Sequence, residues 1–192
     1  MSVTSMPTRA PAAGAARRYV NPVVKDAATF LESTSERTLI KIELAPGGGN
    51  TPHRHRTYAE RFMVSEGRLT VVVDGAEHEL APGEEATAPM MSLHHFANPT
   101  GERTVFLVEL RPGHPGFEKA IRVAYGLAAE GRTNNKAIPR NPLHTALILA
   151  WADMLVPGPL SFRPVLKLLV TLARTLGVER ALERRYPPPD AG

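Results

Sequence analysis

Up to Pro112, the chain alternates short apolar runs with turn residues. Residues 38–44 place an apolar side chain at every second position and are followed by Pro46 and three glycines. Residues 69–73 lead into Asp74-Gly75, a strong sequence signal for a tight β-hairpin. Turn residues also follow the apolar runs at 61–64, 78–80 and 104–110. Strands this short and this closely spaced predict an all-β sandwich or barrel.

After Pro115 the apolar positions follow a helical period instead. Apolar side chains recur on one helix face between residues 117 and 128, and Gly131 can end that helix. Asn141-Pro142 is typical of a second helix start, with Asn as the N-cap and Pro at the first helical position. The change of period predicts a β-domain that is followed by helices.

The second helix is expected to run to Val156, because Pro157-Gly158-Pro159 comes next. A third helix is expected from residue 161 or 163 to Gly177, and a short basic helix over residues 178–186. The predicted parts of the chain are a flexible N-terminal arm at 1–20, a β-barrel at 21–112 and a helical extension at 113–192.

Composition and charge exclude several kinds of functional site. The 192 residues include no Cys, which excludes disulfides, thiolate metal sites and thiol nucleophiles. Any metal must therefore be held by His, Asp, Glu or backbone oxygen. The net charge of +4 is spread along the chain and does not predict nucleic-acid binding. The N-terminus lacks a secretory signal and no long apolar run occurs, so a cytoplasmic protein is expected.

Three histidines and one glutamate form a candidate metal site. His53 and His55 lie two residues apart, so on a strand both rings point to the same face. Glu60 follows five residues later, and His94 would arrive from a neighbouring strand after the Asp74-Gly75 hairpin. Three imidazoles and a carboxylate suit one divalent manganese, iron, cobalt, nickel, copper or zinc ion. An octahedral ion would keep two positions open for water or substrate.

The spacing of these residues resembles the two motifs of the cupin superfamily. The first motif is matched by Gly47, His53, His55, Glu60 and Gly67, and the second by Gly83, Pro89, His94 and Asn98. Met91 stands where the second motif has glycine, which suggests a reshaped turn rather than loss of the metal. The resemblance covers roughly residues 37 to 111. It implies a jelly-roll β-barrel, a metal held by the three histidines and the glutamate, and frequent dimers.

The predicted fold is therefore mainly β, a cupin jelly-roll β-barrel with a C-terminal α-helical extension. Other polar side chains are expected to lie outside the metal site. Alternation places Arg54 and Arg56 on the opposite, solvated face, and His95 should also point away from the ligands. Tyr58 could line the mouth of the barrel or pack inside it. Histidines expected to be exposed or structural are His78, His114 and His144.

Two hypotheses about function remain open, because cupins include dioxygenases, isomerases, decarboxylases, sugar-binding regulators and storage proteins. The first is a metal-dependent enzyme, an oxygenase or isomerase acting on a small molecule in the barrel. The second is a non-catalytic, metal-stabilised binding or regulatory module. In that case the apolar segments 143–156 and 160–176 would mediate a homodimer or a peripheral membrane contact. A lid over the barrel is a further interpretation of these segments.

Overall fold

The computed structural model describes residues 17–158 and 162–188. These residues contain eleven strands and four helices. The strands are β1 (Arg17–Asn21), β2 (Asp26–Ser33), β3 (Thr38–Leu44), β4 (Arg54–His55), β5 (Ala59–Glu66), β6 (Leu69–Val73), β7 (Ala76–Leu80), β8 (Glu85–Ala88), β9 (His94–Ala97), β10 (Thr104–Arg111) and β11 (Met154–Leu155). The helices are α1 (Pro115–Ala129), α2 (Pro142–Trp151), α3 (Phe162–Thr175) and α4 (Val178–Arg185). The prediction of a mainly β protein with a helical C-terminal region is confirmed.

The strands pair into three antiparallel sheets. The largest has the order β1-β2-β3-β10-β5-β8, a second has the order β7-β6-β9, and β11 pairs with β4. Among the described residues, hydrogen bonds do not join these sheets into one closed barrel. The predicted barrel is therefore observed as separately hydrogen-bonded sheets, and the two larger ones share one core of buried side chains.

Alternating burial along the strands builds this core. In β3 every second residue is buried, and β5 follows the same pattern with Glu60, Phe62 and Val64 on the inner face. Phe106 of β10 packs in the same cluster. Because side chains two apart share a face of a strand, the alternation that buries Phe62 and Val64 also turns Glu60 inward. The hydrophobic pattern thus positions a carboxylate inside the protein.

The N-terminal part of the sheet differs from the prediction. Residues 1–16 of the predicted arm lie outside the described residues, whereas residues 17–20 belong to β1, which pairs with β2. Strand β2 is buried at five consecutive positions, residues 26–30, so it lacks an alternating pattern. Phe117 of α1 packs against Phe30, on the face of this strand that points into the core.

The four helices form a second core beside the β-domain. Its buried residues are Ala120, Val123, Leu127, Leu147, Trp151, Ala152, Ala173 and Leu182. Helix α1 connects the two cores, since Tyr125 belongs to the first and Val123 to the second. The third and fourth predicted helices are confirmed as α3 and α4. Within the described ranges, no helix is long and apolar enough to cross a membrane.

Helix α2 is shorter than the sequence predicts. The expected end at Val156 is wrong, because the helix ends at Trp151 and the chain then turns into β11. Asp153 adopts a left-handed φ of 49° in this turn. Met154 of β11 then pairs with His55 of β4. Pairing with β4 therefore outweighs the apolar helical period of residues 152–156.

Met91 lies in a turn whose backbone favours glycine. Its φ is 67°, in the left-handed region, and 44% of the residue is exposed. The left-handed region costs an L-residue about 1–2 kcal/mol relative to glycine. Met91 therefore keeps a strained backbone at the position where the second cupin motif has glycine.

Replacing Met91 with glycine should raise the free energy of unfolding by up to about 1 kcal/mol, as measured in urea. Relief of the strain stabilises the folded protein. The greater flexibility of glycine in the unfolded chain offsets about 0.4–1 kcal/mol of that gain. Met91→Ala is the matched control, because it shortens the side chain and keeps the strain. An equal gain in both variants would contradict this explanation.

Candidate metal centre

Four predicted ligands meet at one buried point. His53, His55, Glu60 and His94 each offer a ligand atom, and these atoms all lie within 4.8 Å of one another. All four residues are buried. The structure therefore brings together the complete set that the sequence predicts, and leaves the other histidines outside it.

The backbone joins two of the ligands directly. His53 donates its backbone N–H to the carbonyl of His94 at 3.0 Å, and His94 donates to the carbonyl of His53 at 2.9 Å. These reciprocal hydrogen bonds join two distant parts of the chain, so His53 and His94 keep one relative position. The other two ligands lie on separate strands, His55 on β4 and Glu60 on β5, and the chain bends between them.

Each imidazole is oriented by a carbonyl oxygen. The Nδ1 atoms of His53 and His94 lie 2.8 and 3.0 Å from the carbonyl oxygens of Thr51 and Ser92. With a proton on Nδ1, each ring presents Nε2 as a free ligand atom. The Nε2 atoms of His55 and His94 are buried and have no hydrogen-bond partner among the described residues. Unpartnered buried nitrogens of this kind are what a metal site requires.

The carboxylate of Glu60 faces two of the rings. Its oxygens lie 3.4 Å from Nε2 of His55 and 3.2 Å from Nε2 of His94. Burial alone would raise the pKa of Glu60, but the adjacent rings of His55 and His94 outweigh burial and hold that pKa well below its usual range. Burial lowers the pKa of His53 to about 4. Glu60 is therefore ionised and His53 neutral at pH 7, which are the forms that bind a metal.

The segment that follows α2 in the helical extension also reaches the site. The carbonyl of Ala152, just after α2, accepts a hydrogen bond from the hydroxyl of Tyr58 at 2.7 Å and lies 3.2 Å from Nδ1 of His55. The Tyr58 oxygen is itself 2.7 Å from Nδ1 of His55. A proton on this nitrogen is thus shared between two acceptors, which fixes the orientation of the ring.

Asp153 fastens the same segment to the β-domain. It is buried and accepts hydrogen bonds from the backbone N–H of Arg56 at 2.9 Å and the hydroxyl of Thr57 at 2.9 Å. The guanidinium of Arg56 also pairs with it. Burial alone would raise the pKa of Asp153, but these hydrogen bonds outweigh burial and lower it. Sequence analysis missed this role, since the one signal is a lone acidic residue in an apolar segment.

A sequence profile described as a cupin domain matches residues 40–109, the segment that contains all four ligands. This segment of the chain is a cupin domain. Its second motif ends in Asn98, whose side-chain amide donates to the carbonyls of Leu44, Ala45 and Glu102. This motif residue therefore joins the end of β3 to the loop that precedes β10.

Several solved structures are similar to this cupin. The protein TT1209 from Thermus thermophilus is 29% identical with a TM-score of 0.46, over 50% of this chain and 90% of that one. A protein described as a sugar phosphate isomerase from Silicibacter pomeroyi is 27% identical with a TM-score of 0.45, over 50% and 71%. An RmlC-like cupin from Shewanella frigidimarina is 24% identical with a TM-score of 0.44, over 48% and 80%. No curated protein matches the sequence significantly.

A cavity of about 530 Å³ opens beside the cupin ligands. His53 and Glu60 line it together with apolar side chains that include Ile40, Ile42 and Phe96. Apolar walls with a few polar groups are typical of small-molecule sites. The cavity gives a ligand access to the candidate metal centre.

The remaining predicted polar residues fall in different places. His95 does not belong to the four-ligand group, yet it lines the cavity. Tyr58 is buried against His55 and packs inside the fold. Arg56 is exposed and Arg54 is half-buried. His78 is exposed, His144 is buried, and His114 bonds through its ring to the carbonyl of Trp151 at 2.8 Å.

Tyr58→Phe should lower the affinity of the purified protein for Co²⁺ by about tenfold, because loss of a partner to a ligand imidazole typically costs 10–100-fold. Isothermal titration calorimetry measures the effect. Tyr19→Phe is the matched control, since it removes a hydroxyl that bonds to Glu118 away from the ligands. Unchanged affinity in Tyr58→Phe would show that this hydroxyl does not position His55.

Proposed function

We propose that this cupin is a metal-dependent enzyme, an oxygenase or isomerase acting on a small molecule. The observation that carries the proposal is the convergence of His53, His55, Glu60 and His94 beside a cavity large enough for a substrate. The nitrogen and carboxylate ligands suit a divalent transition metal such as iron, manganese, nickel, copper or zinc. Bound there, the metal would supply Lewis-acid or redox chemistry to the substrate.

The protein's own residues would hold and shield that substrate. His53 and Glu60 are polar residues of the cavity wall, and Phe96 and Ile42 form part of its apolar wall. Apolar walls exclude water and strengthen electrostatic interactions near the ligands. Because Glu60 stays ionised, it acts as an anionic ligand at neutral pH and not as a proton donor.

Native mass spectrometry with metal analysis should find about one divalent metal per chain in the wild type. His53→Ala should lose the metal and keep its circular dichroism spectrum. His78→Ala is the matched control, since it removes an exposed histidine outside the site and should retain the metal.

The same preparations are then tested for oxygen consumption with phenols, thiols and diketones, and for isomerisation of small carbonyl compounds. Turnover that is lost in His53→Ala and kept in His78→Ala supports an enzyme. Bound metal without turnover of any compound would contradict the enzyme and favour a binding module.

A second candidate is a metal-stabilised binding module that assembles through its helical extension. Four exposed apolar side chains follow one side of α3 and its end, Val165, Leu168, Leu172 and Leu176. Spacings of three and four residues align them on one helix face. An unpaired apolar face of this kind supports a homodimer, with a peripheral membrane contact as the alternative occupant.

Leu168→Glu should convert a concentration-dependent dimer into a monomer in sedimentation experiments, because it places a charge in the exposed apolar face. Thr171→Glu introduces the same charge on α3 outside that face and should leave assembly unchanged. A wild-type protein that stays monomeric at all concentrations would overturn the homodimer. Co-sedimentation with anionic lipid vesicles would then support the membrane contact.

A further inference from the structure

The cavity wall contains a second polar group that is separate from the four ligands. Asp26, the first residue of β2, and Tyr125 of α1 both line the cavity. The hydroxyl of Tyr125 donates to Oδ2 of Asp26 at 2.5 Å. The other carboxylate oxygen, Oδ1, is buried and has no hydrogen-bond partner among the described residues. Asp26 is 9% exposed.

An unsatisfied oxygen on a buried carboxylate is costly. A buried charged acceptor without a partner loses its hydration and gains nothing in return. Burial raises the pKa of Asp26 to about 6, and the hydrogen bond from Tyr125 opposes that rise. Burial raises the pKa of Tyr125 well above its ordinary value, so its hydroxyl keeps its proton. At pH 7.5 the pair is a carboxylate with one oxygen that has no hydrogen-bond donor among the described residues.

The residues around the pair indicate what kind of ligand would carry such a donor group. Ile40, Ile42, Phe117 and Ile121 line the same cavity. These side chains offer an apolar surface to the body of a ligand, and the free oxygen of Asp26 offers one strong acceptor. An amphipathic molecule with a terminal donor group fits both features.

We propose that Asp26 and Tyr125 form a second polar subsite of the cavity, which binds an ammonium or hydroxyl group of an otherwise apolar small molecule. The subsite deepens the proposed function, and rests on it only in taking this cavity as the place where the ligand binds. It requires no metal. An ammonium group is the better match, because a charge-assisted hydrogen bond is stronger than a neutral one.

The experiment measures the binding of three probes of similar size to the metal-free full chain by NMR titration at pH 7.5. The probes are benzylamine, benzyl alcohol and toluene. Benzylamine should bind at least about tenfold more tightly than toluene, as a charge-assisted hydrogen bond predicts. Benzyl alcohol should lie between them. Asp26→Asn keeps the shape of the side chain and should reduce the preference for benzylamine to less than about threefold.

Thr29→Val is the matched control on the same strand. Thr29 is also buried with an unpartnered oxygen, but it does not line the cavity. This variant should bind all three probes as the wild type does. Loss of the preference in Thr29→Val would show that any polar deletion in β2 disturbs the cavity, and would overturn the assignment to Asp26.

The preference should also depend on pH. Benzylamine stays charged across the titration, so its binding should weaken as the pH falls through about 6 and Asp26 becomes protonated. Tyr125→Phe removes the hydrogen bond that lowers the pKa of Asp26, so the midpoint should move to higher pH. This variant also tests the subsite independently if Asp26→Asn fails to fold.

Other charged groups near the pair could also cause a pH dependence, and their effect must be distinguished from that of Asp26. His53, Glu60, His95 and Lys136 line the same cavity. A neighbouring cleft brings charged side chains to the other side of Asp26, namely Arg18, Lys25, Glu43 and Arg103. His95→Gln should retain the pH dependence, whereas Asp26→Asn should abolish it. A midpoint that follows His95 would contradict the proposal.

Equal binding of benzylamine and toluene by the wild type, or no binding of any probe, would overturn the subsite. So would a preference that survives in Asp26→Asn. Because these titrations contain no metal, their failure is distinct from failure of the proposed enzyme, which metal analysis and turnover test separately.

Discussion

The cost of burying three imidazoles and a carboxylate at one point is the constraint on which this structure depends. Uncompensated burial of such groups destabilises a protein. Here Glu60 faces two rings, and carbonyl oxygens lie beside the Nδ1 atoms of all three. The Nε2 atoms of His55 and His94 nevertheless remain without hydrogen-bond partners in the described structure. A bound cation would satisfy what the protein leaves unpaired.

The helical extension belongs to this arrangement and is not an independent appendage. The Ala152 carbonyl orients His55, Asp153 holds Arg56 and Thr57, and β11 pairs with β4. Met154 also lines the cavity. Changes in the packing of α2 can therefore reach the site through a turn of two residues. Stability of the second core and geometry of the candidate centre are physically coupled.

The sequence predicted what local patterns encode. Period-two alternation predicted β3, the Asp74-Gly75 turn predicted the hairpin that begins with β6, and motif spacing predicted the four ligands, because all three signals can be read along the sequence. Strand β2 escaped prediction because residues 26–30 are all buried, which removes the alternation. The end of α2 was predicted wrongly because pairing with β4 is a long-range interaction.

The Asp26–Tyr125 pair illustrates the same limit, since its members lie 99 residues apart and neither belongs to a motif. The role of the Ala152 carbonyl was equally inaccessible, because any residue type carries that group.

Anomalous X-ray diffraction from crystals grown with Co²⁺ tests the central claim most directly. The account predicts one strong peak per chain, at about 2.0–2.2 Å from the Nε2 atoms of His53, His55 and His94 and a carboxylate oxygen of Glu60. No peak at this point, with cobalt bound only at surface residues, would contradict it.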